Sequence, residues 1–160
     1  MMRRRTRGLI VLGSLLACLT ASVAAAQDKP ANNMEILREK ARADKKVIVA
    51  GVLDLTEGEA KSFWPVYNAY QSDMVAHYDR LLKLIESYAQ SYETMTDAKA
   101  TSLLKDYLGL ERDHVAILTS YLPRFQKVLP PRKVAKLYQV ENKARALVNY
   151  ELARGIPLVK

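Results

Sequence analysis

His77 and His114 are the only imidazoles in the 160-residue chain, and each occupies a seam position of a long apolar-periodic run. Facing imidazoles could ligate a metal ion or act as a pH switch, with Asp73 one turn before His77 and Asp113 beside His114 as carboxylate companions. Two nitrogen ligands without a cysteine make a poor metal site, and half-buried seam histidines are more often core residues, so neither metal nor cofactor is expected. Among the carboxylates, Glu141 and Glu151 fall within the apolar arc of the last run, with Val134, Leu137, Ala144 and Val148. An unpaired charge there would be costly, so each is expected to have a basic partner. No carboxylate stands with a nucleophile and a base in the glycine-rich or strand-end setting that acyl or phosphoryl transfer needs. No enzyme is therefore expected.

The basic residues carry a clearer pattern. Residues 124–160 hold nine Lys and Arg against two acids, whereas residues 27–123 hold twelve against fifteen. Arg132, Lys136, Gln139, Lys143, Tyr150 and Arg154 recur at helical spacing, a polar and basic stripe set away from the apolar arc. Arg132, Lys136, Lys143 and Arg154 are thus candidates for attracting an acidic partner, and Phe63, Trp64, Tyr67 and Phe125 for apolar contact, the alternative for these rings being core packing.

These residues need helices to position them. Only six glycines occur in the whole chain, too few for a glycine-rich phosphate loop or the tight turns of a β-sandwich. Asn33 can cap a first helix over 34–50, with Ile36, Leu37, Ala41, Val47 and Ile48 as its apolar positions and Gly51 as a left-handed stop. Thr56 and Glu59 form a capping box that opens a second helix reaching about Tyr92. Its seam reads Phe63, Tyr67, Tyr70, Met74, His77, Leu81, Leu84 and Tyr88, spaced by threes and fours. Thr96 and Asp97 cap a third helix, whose seam reads Ala100, Leu103, Tyr107, Leu110, His114, Ile117 and Tyr121. A connection of three residues makes the two long helices antiparallel neighbours, each on the order of 45 to 55 Å long. A hairpin turning near residue 95 sets Pro65 level with Pro123 and His77 level with His114. Prolines at one level predict a hairpin bent as a unit; the alternative is that each shortens its helix by a turn. Pro130 and Pro131 end the third helix and open a fourth, which runs to Arg154 with Gly155 as its cap. An apolar tail over 156–159 is expected to pack back on the bundle. The expectation is all-α: four helices around a long, bent antiparallel hairpin.

Residues 1–26 read as a signal peptide. A basic start at Arg3, Arg4, Arg5 and Arg7 precedes an apolar stretch and small residues ending at Ala26. The expected organisation is a signal peptide over 1–26, a flexible lead over 27–32 and one helical domain over 33–160. Removing the leader lowers the formal net charge from +8 to +4 and discards Cys18, the only cysteine. A thiol-free product suits an oxidising periplasm and has no disulfide or thiolate metal site. Two alternatives are a retained anchor and a lipoprotein lipidated at Cys18, the latter bringing membrane contact. Export argues against nucleic acid as the partner of the basic stripe.

Leu55, Thr56, Glu57, Gly58 and Glu59 opening one long helix, with Leu129, Pro130, Pro131, Arg132 and Lys133 opening the last, resemble the twin LTxxQ motifs of the Spy/CpxP family. Glu59 and Lys133 stand where the family has Gln, and Pro130 where it has Thr. The resemblance implies a periplasmic all-α protein that forms a homodimer and holds unfolded envelope clients without ATP on a concave apolar and basic surface. Other roles in that setting are a stress-sensing adaptor acting on a membrane sensor kinase, and a metal-sensing relative.

Overall fold

The computed structural model describes residues 44–159. The leader with Cys18, the N-terminal lead, and the expected Asn33 cap with Ile36, Leu37 and Ala41 lie outside the described residues. Helix α1 covers 44–53 within that range, and three long helices follow: α2 (Glu57–Ser91), α3 (Asp97–Gln126) and α4 (Pro131–Gly155). A single 3-10 turn, Tyr92–Thr94, joins α2 to α3. The described residues contain no strand and form four helices, an all-α arrangement with a long central hairpin.

Local chemistry explains the boundaries. Thr56 accepts a hydrogen bond from the Glu59 amide while the Glu59 carboxylate accepts the Thr56 amide at 2.8 Å, a complete capping box. Thr96 caps α3 by accepting the Lys99 amide. Pro131 opens α4 from its first turn, where its missing N–H costs nothing. Replacing Thr56 by Ala is expected to lower the free energy of unfolding by about 1 kcal/mol, read from urea denaturation; an unchanged midpoint would show that the cap contributes nothing.

Helix α1 departs from expectation at both its end and its face. It runs through Gly51, and the left-handed residue is Asp54, with φ 47°. The extra turn is driven by Val49 and Leu53, four residues apart and both in the core, while Val47 and Ile48 face solvent. Asp tolerates this conformation better than most side chains, and the Asp54 carbonyl accepts the Lys133 ammonium at 2.6 Å. Neither interior proline shortens its helix: α2 continues through Pro65 and α3 through Pro123. The carbonyls left without an amide donor belong to Lys61 and Thr119, four residues earlier on solvent-facing positions where water can donate instead.

The core sits where all four helices meet. Phe63, Tyr67 and Tyr70 of α2 pack against Tyr121 and Phe125 of α3, closed by Val49 and Leu53 from α1 and by Val134 and Leu137 from α4. Ring centroids within this cluster lie 5.2 to 6.1 Å apart, as favoured for stacked, tilted and edge-on aromatic pairs. Towards the hairpin turn the seam is more open: Leu81, Leu84 and Tyr88 are only half-buried.

Candidate binding surfaces

Glu141 anchors the core end. It is 8% exposed and accepts Lys45 Nζ at 2.7 Å, the Tyr67 hydroxyl at 3.1 Å, the Tyr70 hydroxyl at 3.2 Å and Gln71 Nε2 at 3.4 Å. Four donors match the roughly four lone-pair directions of a carboxylate. Burial, and then the Glu141 charge beside them, pushes both tyrosine hydroxyls far above their ordinary range, so they remain protonated donors. Thus the expected basic partner of Glu141 is Lys45, and the cluster ties α1, α2 and α4 together. Glu151 also has its expected basic partner, Arg154 at 3.4 Å, but it is not buried: it is 68% exposed, because the second half of α4 leaves the core after Glu141 and Val148 is solvent-facing.

His77 and His114 do face one another across α2 and α3, with ring centroids 5.4 Å apart. Both are 4% exposed, and neither Nδ1 has a hydrogen-bond partner. Burial, followed by the cations of Arg80 and Arg145, lowers the His77 pKa; burial and Arg145 bring His114 down to about 4. Those cations are themselves paired, Arg80 with Asp113 at 2.7 Å and Arg145 with Glu111 at 2.6 Å. Asp113 therefore serves Arg80, while the Asp73 carboxylate accepts the Tyr121 hydroxyl at 2.6 Å. Among the described residues no group of three or more His, Cys, Asp and Glu is arranged to hold a metal ion.

At the turn end of the hairpin an open cleft of about 650 Å³ lies between α2, α3, the end of α4 and the tail. Leu81, Leu84, Tyr88, Leu104, Tyr107 and Leu152 contribute to its walls. The tail over 156–159 also lines it, fastened by the Tyr88 hydroxyl donating to the Pro157 carbonyl at 2.8 Å. Packing of the tail is partial, since Leu158 remains 89% exposed. The seam spacing placed Leu81, Leu84, Tyr88 and Tyr107 on facing helices, but nothing in the sequence marked Leu104 and Leu152 as their neighbours or that the gap between them stays open.

The candidate contact residues divide sharply. Arg132, Lys136, Lys143 and Arg154 are all exposed on α4. Phe63, Tyr67 and Phe125 are instead fully buried, which removes them from any contact surface; Trp64 is half-buried beside Phe63. The reason is that the levelled prolines lie where four helices converge, so neighbouring rings are enclosed. Exposed large apolar residues include Leu104, Tyr107, Leu108, Leu147, Leu158 and Val159.

The two segments that open α2 and α4 also meet. Lys133 donates to Glu59 at 2.7 Å, and this ammonium holds the Glu59 carboxyl below its ordinary range. Leu129 is buried in the core, with Leu55 packed against it. No helix among the described residues is long and apolar enough to cross a membrane. No family model, curated protein or solved structure matches this chain.

Proposed function

We propose that this chain is an exported, ATP-independent chaperone-like protein of Spy/CpxP type, which holds unfolded envelope proteins by weak, many-point contact. The observation that carries this reading is the open apolar cleft at the hairpin turn, about 650 Å³ and walled by aliphatics and tyrosines of which Leu104, Tyr107 and Leu158 are exposed. Clefts of this size accept apolar side chains without demanding one shape. The exposed cations of α4 add long-range attraction that raises encounter rates. Supporting the family comparison is the pairing of Glu59 with Lys133, the two positions at which the family carries Gln: the replacements are complementary to one another. A bend of the hairpin at Pro65 and Pro123, homodimerisation and the lack of any catalytic role or cofactor belong to the same proposal.

Light scattering from an unrelated, chemically unfolded client tests it. The chain is expected to suppress aggregation at a few-fold molar excess without nucleotide. Leu104→Glu with Leu158→Glu introduces charge into the cleft at exposed positions and is expected to weaken suppression several-fold while leaving the circular dichroism spectrum unchanged. Undiminished suppression in that variant would remove the cleft from the proposal, and no suppression by the unmodified chain would end it.

A further inference from the structure

A second groove, about 450 Å³, runs between α1 and the middle of α4. Ile48 and Val52 from α1 meet Val140, Ala144 and Leu147 from α4 along it, and Leu147 is 70% exposed. Three lysines border this apolar floor. Lys45 is engaged by Glu141, whereas Lys136 and Lys143 make no hydrogen bond or ion pair among the described residues. Lys136 and Lys143 are seven residues apart on one helix, about 10.5 Å along its axis.

That interval selects among anionic occupants. An incoming α-helix repeats at the same two-turn distance, so carboxylates at i and i+7 would meet both ammonium groups while the apolar residues between them rest on the floor. An extended strand covers about 10 Å in three residues, which points the two carboxylates to opposite faces. An acyl chain brings one head group, enough for one lysine and not for two. We infer that the α1–α4 groove docks an amphipathic helical segment bearing acidic residues two turns apart. The inference rests on the client-binding reading and narrows it to one class of client segment.

Fluorescence anisotropy with the full chain and labelled helical peptides tests it. One peptide carries Glu at i and i+7 around a Leu pair, and a second carries Lys at those positions. The acidic peptide is expected to bind at least about ten-fold more tightly, with affinity falling as salt rises. Lys136→Glu with Lys143→Glu should reverse that preference, and Leu147→Ser should weaken the acidic peptide while keeping the preference. Equal binding of both peptides, or affinity indifferent to the lysines, would overturn the inference. So would tighter, lysine-dependent binding of phosphatidylglycerol vesicles than of the peptide. Sedimentation showing self-association that Leu147→Ser abolishes, with no peptide bound, would assign the groove to a second copy and also overturn it. Aggregation assays on the same samples separate the two readings. Peptide docking without suppression leaves the groove and removes the chaperone, and suppression without docking does the reverse.

Discussion

Replacing Glu141 by Ala is expected to cost about 3 to 5 kcal/mol. The carboxylate collects four donors from two other helices, at 2.7 to 3.4 Å. Once it is gone, the Tyr67 and Tyr70 hydroxyls, on residues almost wholly enclosed, lose the acceptor both of them use, and each unsatisfied donor costs roughly 1 to 3 kcal/mol. Lys45 suffers less, because it is partly exposed and its ammonium can reach solvent. The midpoint of thermal unfolding should fall by about 10 to 20 °C. Glu141→Gln keeps an acceptor and should lose less. Tyr67→Phe with Tyr70→Phe in the Glu141→Ala background should restore part of the loss, since the orphaned donors are then absent. A loss under about 1 kcal/mol for Glu141→Ala, measured by urea denaturation, would show that the cluster does not clamp the helices.

The second large effect is acid destabilisation through the histidine pair. Both imidazoles are lowered from an ordinary value of 6.5, His114 to about 4. The folded state therefore binds fewer protons than the unfolded state across this window, and stability rises with pH. The contribution is complete above about pH 6.5 and is lost as the pH falls towards 4. Protonation would place an N–H on a buried Nδ1 with no acceptor and set two cations 5.4 Å apart between α2 and α3. Arg80 and Arg145 add to the penalty, Asp113 and Glu111 offset part of it, and Tyr78 lies edge-on to His77 without supplying charge. His114 alone accounts for a loss on the order of 2 to 3 kcal/mol between pH 7 and 4.5, and His77 adds to it in the same direction. His77→Phe with His114→Leu should flatten the pH dependence in that window. A double variant with the same slope as the unmodified chain would locate the acid sensitivity elsewhere.

Hydrogen bonds within four residues explain why so much of the layout was legible beforehand. The capping box at Thr56 and Glu59, the cap at Thr96 and the proline start of α4 depend on neighbours in the chain, and their positions follow from residue type alone. Facing of His77 and His114 was legible too, because a three-residue turn leaves an antiparallel register little freedom. Where α1 ends was not: Gly51 is a good local stop, but burial of Val49 and Leu53 outweighs it, and Asp54 takes the left-handed turn instead. Periodicity marked Phe63 and Tyr67 as lying on one face of α2 without saying whether that face would be covered.

For this protein, then, residue order alone dictated which segments are helical, how the hairpin registers and where positive charge gathers, since each depends on contacts or periodicities within a few turns. Which faces stay open was decided only by packing. Whether a stripe of rings becomes core or surface depends on how many other helices arrive beside it, and this differs along the same hairpin: four converge at Tyr67, while the cleft by Leu104 stays open.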